Sequence, residues 1–249
     1  LCGHLVANMG VQVGDLISFM SYAAQIMIGF MMLSMIFVFV PRASASATRV
    51  NAVLDQPISI HNAPEKDQEK ISINQPASLE FKNVDFRFHG AERLALHDLN
   101  FKVTAGQTLA IIGGTGSGKS ALVNLIPRLF DIESGEIKVD GVPVKKLSQH
   151  NLHEVISITQ QQAVLFSGTI RSNLQFGYEE ATDKEMWHAL EIAQAADFVL
   201  EDGGLDAVVA EDGSSFSGGR RQRLAIARTI IRPASIYVFD DSFSALDFE

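Results

Sequence analysis

Residues 113–120 read Gly113-Gly114-Thr115-Gly116-Ser117-Gly118-Lys119-Ser120 and satisfy G-x-x-x-x-G-K-[ST] at each fixed position. The chemistry of phosphate binding asks for these residue types. Glycines at 113, 114, 116 and 118 let the backbone curl so that successive N–H groups, those of Thr115 and Ser117 included, point inward at phosphate oxygens. Lys119 adds a point charge for β- and γ-phosphates, and the Ser120 hydroxyl is a hard oxygen ligand for Mg²⁺. The apolar run Thr108-Leu-Ala-Ile-Ile112 before the loop predicts a buried strand. Ala121-Leu-Val-Asn-Leu-Ile126 after it predicts a helix whose N-terminus favours anions. A glycine-rich turn that merely contains a lysine would lack that strand, loop and helix order. The loop therefore predicts a nucleoside-triphosphate site.

The elements around the loop alternate between strands and helices. Leu79, Phe81, Val84, Phe86 and Phe88 read as antiparallel strand material, and Leu96 to Ile112 adds a second strand, a turn at Ala105-Gly106 and the strand feeding the loop. Gly135–Gly141 reads as a short strand closed by a turn, and Leu152–Thr159 as a helix end running into a strand. Residues 168–231 read as mostly helical, notably Asp183–Val199. Ser235-Ile-Tyr-Val-Phe-Asp240 reads as a buried strand ending in carboxylates. This order predicts an α/β fold with a mostly parallel sheet and the nucleotide at the strand C-termini.

Composition narrows the class. At 249 residues the chain has room for one large domain, or for one domain with an appendage. Its single cysteine, Cys2, excludes an internal disulfide and a thiolate metal cluster. A net charge of −9 argues against nucleic acid as a partner. Leu16 to Val40, 25 residues, contains no charged side chain. At about 1.5 Å per residue such a helix crosses a bilayer core of roughly 30 Å. A buried helix of a soluble protein is the competing reading. A signal peptide fits poorly, since no Lys or Arg precedes Arg42. Arg42 and Arg49 follow the span and place its C-terminal side in the cytoplasm. Pro57, Pro64 and Pro76, with the charged run Glu65–Lys70, read as a solvated linker.

The second motif is Phe216-Ser-Gly-Gly-Arg220 followed by Arg221-Gln-Arg-Leu-Ala-Ile-Ala-Arg228. It resembles the signature of ATP-binding cassette (ABC) transporters, usually Leu-Ser-Gly-Gly-Gln before a basic, alanine-containing helix. The phosphate loop, the signature and the aspartate-ended strand follow the family's order and approximate spacing. The resemblance implies an ABC-type P-loop NTPase fold, with an antiparallel β subdomain and a helical subdomain, preceded by an all-α transmembrane segment. It divides the chain into the end of a transmembrane domain (1–50, membrane helix about 16–40), a linker (51–78) and a nucleotide-binding domain (79–249). Both ends are expected to be cut, the second just past the loop containing Asp247.

The resemblance also implies roles for particular residues. Phe88 stands where the family places an aromatic, usually Tyr, to stack on adenine, and a core aromatic is the alternative. Gln161 matches the glutamine that senses Mg²⁺ and the γ-phosphate, with Gln160 and Gln162 adjacent. Glu211, in Val209-Ala-Glu-Asp-Gly213, resembles a loop that touches the membrane domain. Ser217, Gly218 and Gly219 can present a hydroxyl and N–H groups to the ATP of an opposing domain. Phe216 and Arg220 depart from the family's Leu and Gln. Asp240 matches the aspartate that orients Mg²⁺. Asp241 stands where hydrolysing members have a glutamate that polarises water, and Asp247 belongs to a loop that crosses to the other domain.

Aspartate draws its oxygens back by roughly an ångström, and a misplacement of that size costs about 10²-fold in rate. The implied protein is thus one subunit of a bacterial heterodimeric exporter in the cell membrane, binding ATP and Mg²⁺. Its own phosphate loop forms the impaired site. Its signature completes the competent site of a different half-transporter. A homodimeric, hydrolysing exporter and a soluble ABC-type ATPase are the alternatives.

Overall fold

The computed structural model describes residues 12–72 and 75–242, and the chain divides into two units between Ser59 and Ile60. The first unit is dominated by one helix, α1 (Val13–Leu54), of 42 residues. Pro41 lies inside it, and the polar segment 42–54 continues the helix past the apolar span. None of its described residues is buried, and Phe19, Phe30 and Phe37 all stand exposed.

The second unit begins with a chain that packs where a solvated linker is expected. Ile71 and Ala77 are buried, and the Asn151 side chain holds the Ile71 backbone at both its N–H and its C=O. Two apolar side chains and a paired backbone outweigh the charge of Glu65–Lys70. Four strands then form an antiparallel sheet in the order β2-β1-β3-β4: β1 (Leu79–Phe86), β2 (Leu96–Val103), β3 (Ser134–Val139) and β4 (Val142–Pro143). Alternation in β1 sends Leu79, Phe81, Val84 and Phe86 inward. They pack on Leu122 and Leu125 of α2 (Lys119–Leu125) and on Leu152 and Val155 of α3 (Gln149–Val155). Three-residue steps in β1 and in β2, each opposite a two-residue step of the partner, bulge at Asn83 and Asp98, both with φ of 47°. Asp85 fills that bulge. It accepts from the Asp98 N–H and the Ser134 hydroxyl and lies 2.9 Å from His97 Nδ1.

Among the described residues, the one parallel ladder between strands joins β5 (Ile156–Thr159) to β8 (Ile236–Phe239), beside an isolated parallel bridge between Glu69 and Leu147. This corrects the expected mostly parallel sheet. The expected buried strand Thr108–Ile112 forms no ladder, and Ile112 is 94% exposed. Two ties account for this. Reciprocal bonds between Thr104 and Gln107 turn the chain away after β2. Lys119 Nζ then closes the phosphate loop on the carbonyls of Gly113 and Gly114. The segment between the ties has apolar side chains but no backbone partner among the described residues. For the same reason β8 is half-buried rather than buried, with one side open.

The remaining elements build a helical lobe. They are β6 (Gly168–Thr169), α4 (Ile170–Gln175), α5 (Asp183–Ile192), α6 (Ala196–Glu201), β7 (Val208–Val209) and α7 (Gly218–Ile230). Helix starts are fixed by side chains: Thr169 with Ser172, and Thr182 with Glu185, form reciprocal capping boxes. The helical stretch expected over Asp183–Val199 is broken at Gln194, where φ is +53° and Ala195 N–H returns to Leu190 O. Met186, Leu190, Phe198, Phe216 and Leu224 form the lobe's core. Arg171 bridges Asp183 and Asp206 across it, and those hydrogen bonds raise its pKa further.

Candidate functional site

Because β5 and β8 run parallel with Thr159 opposite Phe239, the segments leaving them emerge from one edge of the sheet. Asp240 N–H donates to Thr159 O at 3.0 Å, which extends the ladder by one bond. Beyond it, Gln161 Nε2 donates to Asp241 Oδ2 at 3.3 Å. Of the three neighbouring glutamines, Gln161 is the one that makes this bond. Asp241 has φ of +46°, a left-handed conformation that aspartate tolerates better than most residues. Two residues 80 positions apart are thus joined by strand order alone.

The phosphate loop reaches the same region. Gly116 and Gly118 have φ of +80° and +92°, which makes glycine the natural choice at both. At Gly118 space adds to conformation. A Cβ there would lie 2.7 Å from Leu96 Cδ2 and 3.1 Å from Ala95 O, so the loop is pressed against the start of β2. Gly114 has open space around it, and Gly113 faces the side chain of Ser117, with Lys119 Cγ at 4.0 Å. Thr115 and Gly116 form a turn, Ser120 is exposed in the first turn of α2, and Lys119 is half-buried. A cavity of about 1010 Å³ opens beside β8, and Lys119, Asp240 and Asp241 share its wall with Leu109 and Ile111. The structure therefore gathers the loop lysine and the carboxylate pair around one space.

The signature residues stand elsewhere. Ser217 caps α7, its hydroxyl accepting from Arg220 N–H at 3.4 Å. Ser217 and Gly218 are exposed and Gly219 is half-buried, and none of the three lines the cavity. Both departures from the usual signature settle on one ring. Phe216 is buried with its ring 6.2 Å from Phe198, and the Arg220 guanidinium lies 4.8 Å over Phe198 while pairing with Asp202. The unusual side chains thus anchor the start of α7 and leave Ser217-Gly218 at the surface. Phe88 lies just past β1, 43% exposed, in edge contact with Phe86 and Phe130. Glu211 opens a single helical turn, Glu211–Gly213, and is exposed. Asp247 lies outside the described residues.

Sequence reasoning missed a link between the signature helix and the strands. Thr229 on α7 accepts a 2.7 Å bond from the Thr159 hydroxyl on β5, and its backbone carbonyl accepts from Ser157. These buried hydroxyls tie α7 to the strand that leads to Gln161. Their signal is polar residues at inward positions of an apolar strand.

The donor set suits a hard cation. Ser120, Asp240 and Gln161 offer hydroxyl, carboxylate and amide oxygens. Among the described residues no group of three or more His, Cys, Asp or Glu could hold a metal alone. In NTPases generally, Mg²⁺ is held by one or two protein oxygens together with phosphates and water.

Comparison with known proteins gives a family. The ABC transporter family profile matches residues 96–244. The chain is 44% identical over 241 residues to an uncharacterised ABC transporter ATP-binding protein of Mycobacterium tuberculosis, covering 95% of this chain and 41% of that protein. It is 41% identical over 212 residues to the ATP-dependent lipid A-core flippase of Haemophilus influenzae, covering 84% and 35%. Among solved structures, a bacterial Atm1-family ABC exporter with ATP bound superposes with a TM-score of 0.77 at 34% identity, covering 96% of this chain and 41% of that one. The chain thus spans about two fifths of the length of such relatives. With the profile covering the phosphate loop, the signature and the aspartate-ended strand, the chain belongs to the ABC transporter family.

Proposed function

We propose that this chain is the nucleotide-binding part of an ABC exporter subunit, together with its last membrane helix, and that it couples ATP to efflux across a bacterial cell membrane. Residues 1–50 end the transmembrane domain, 51–78 connect, and 79–249 form the cytoplasmic nucleotide-binding domain. Gly113 to Ser120 cradle the phosphates of ATP and Phe88 stacks on adenine. Ser120, Gln161 and Asp240 hold Mg²⁺, which when bound neutralises charge on the β- and γ-phosphate oxygens. Ser217, Gly218, Gly219 and Asp247 serve the ATP held by a second half-transporter.

The chain's own site binds ATP and turns it over poorly, because the water-activating position carries Asp241 in place of the longer glutamate. The observation that carries this reading is the bond from Gln161 to Asp241 beside the cavity lined by Lys119. It holds the short carboxylate beside the glutamine, which supports reading Asp241 as the residue at the water-activating position. The bilayer and a different subunit are the expected partners, and nucleic acid is not. Relatives described as a lipid A-core flippase and a β-(1→2)glucan export protein share this ATPase, so cargo choice belongs to the membrane domain.

Affinity purification of the full-length protein from its native membrane tests the pairing. A second, different half-transporter with glutamate after its strand aspartate is expected in the complex. Recovery of a homodimer with full ATPase activity overturns it.

A further inference from the structure

Phe88 follows β1 in a stretch without regular structure, so no ladder fixes the plane of its ring. Two rings do. Phe86, 1% exposed, meets it at 4.8 Å between centroids and 77°, and Phe130 meets it at 5.5 Å and 85°. Phe86 and Phe130 also touch, at 5.6 Å, which closes a three-ring cluster. Near-perpendicular contacts of this kind match the preferred edge-to-face geometry of aromatic pairs. They leave 43% of Phe88 open. Phe86 is a core residue of β1. Phe130 is not, since it is 40% exposed and lies outside every strand and helix.

Position gives this cluster its interest. Phe86 O accepts from Ala95 N–H, and Ala95 and Leu96 press against Gly118 of the phosphate loop. The cluster therefore stands on the rim next to that loop. Phe130 arrives there from the opposite end of the same short helix. Lys119 opens α2, and after Leu125 the chain turns through Leu129 N–H to Asn124 O, with Arg128 at φ +54°. The Arg128 side chain is buried and paired with Asp131, which flanks Phe130 on the far side. One seven-residue helix thus joins the phosphate-binding end to the ring that touches Phe88.

We propose that Phe130 is a positioning residue for base recognition: it fixes the plane of the Phe88 ring so that its open side receives the adenine of the nucleotide held by the phosphate loop. The inference rests on the reading that Phe88 stacks on adenine, and it adds a residue that the signature motifs do not include. A ring held at two points loses little freedom on stacking, so a firm Phe88 binds a base more tightly than a loose one.

The test uses the full-length protein and two probes, ATP and inorganic tripolyphosphate, with Kd measured for each. Phe88→Leu, Phe130→Leu, Phe130→Tyr and the Phe88→Leu/Phe130→Leu pair are compared. Phe130→Leu is expected to weaken ATP about three- to tenfold, the range of one aromatic pair. Tripolyphosphate affinity stays unchanged, Phe130→Tyr restores ATP, and the double variant is no weaker than Phe88→Leu. Equal loss of both probes in Phe130→Leu makes the residue merely structural and overturns the proposal. Loss in Phe88→Leu without loss in Phe130→Leu, or additive losses, overturns it while stacking stands. No loss in Phe88→Leu removes the stacking reading itself.

Discussion

At the scale of single residues, Asp241 carries the most consequence. Its carboxylate is one methylene shorter than glutamate, and its backbone sits at φ +46°, where aspartate is at home and glutamate is not. Length and conformation therefore pull in opposite directions. Asp241→Glu is expected to raise ATP turnover at this chain's own site, by up to about 10²-fold if reach alone limits the rate. The same change should lower the thermal midpoint slightly, since a less suited side chain in the left-handed region costs about 1–2 kcal/mol. Steady-state ATPase assays of the proposed complex with the partner's ATP site inactivated, beside a melting curve, read both effects. A turnover that stays flat while the melting point falls would mean that reach is not what limits this site.

At the scale of elements, α7 is joined to β5 by the bond from the Ser157 hydroxyl to the Thr229 carbonyl and by a pair of buried hydroxyls, Thr159 and Thr229. Thr229→Val removes the acceptor of the Thr159 hydroxyl and leaves that group buried without a partner, at about 1–3 kcal/mol. Adding Thr159→Val removes the orphan and should recover most of the loss, because two apolar groups of the same shape replace a matched polar pair. Chemical denaturation of the two variants measures the difference, and equal losses in both would refute the account.

The bulge of the antiparallel sheet yields a pH dependence. The Asp98 N–H, the Ser134 hydroxyl and His97 hold the Asp85 pKa down to about 2, from an ordinary 3.8. A carboxyl depressed in the folded state stabilises it above the ordinary value, and that contribution is lost as pH falls through about 2. Asp85→Asn should therefore flatten the stability profile between pH 3.8 and about 2 and leave its shape above that range unchanged. Acid titration of unfolding followed by circular dichroism shows whether the slope changes.

These elements also show what can be read ahead of the structure. The phosphate loop, the signature and Asp240-Asp241 are legible because their chemistry fits in a few adjacent residues. The β1 and α2 core is legible because its periods of 2 and 3.6 are strong. Thr108–Ile112 misleads, since apolarity predicts burial but a strand also needs a partner, and the bonds at Thr104–Gln107 and at Lys119 fix both ends elsewhere. Phe130 beside Phe88, Thr229 on Thr159 and the shared seat of Phe216 and Arg220 on Phe198 all join residues distant in sequence, and no local pattern announces them.

At the scale of the whole chain, the two units have opposite surfaces, and that contrast predicts where each resides. The second unit buries its apolar side chains in two cores. In the first, α1 buries none, although Phe19, Ile26, Phe30, Leu33 and Phe37 are spread around it. A helix that is apolar all round asks for an apolar surrounding. Its 42 residues are about 63 Å long, twice a bilayer core of roughly 30 Å. On the proposed reading the uncharged stretch 16–40 would make the crossing, and the part carrying Arg42 and Arg49 would project beyond it. A charge placed at the middle of the crossing should oppose insertion by about 2.5–3.5 kcal/mol, and one placed in the projection should not. Ile28→Lys is thus expected to cut the inserted fraction of residues 13–54 in a translocon-insertion assay, with Asn51→Lys unchanged from wild type. Poor insertion of the wild-type segment itself would instead assign the cover of α1 to other protein segments.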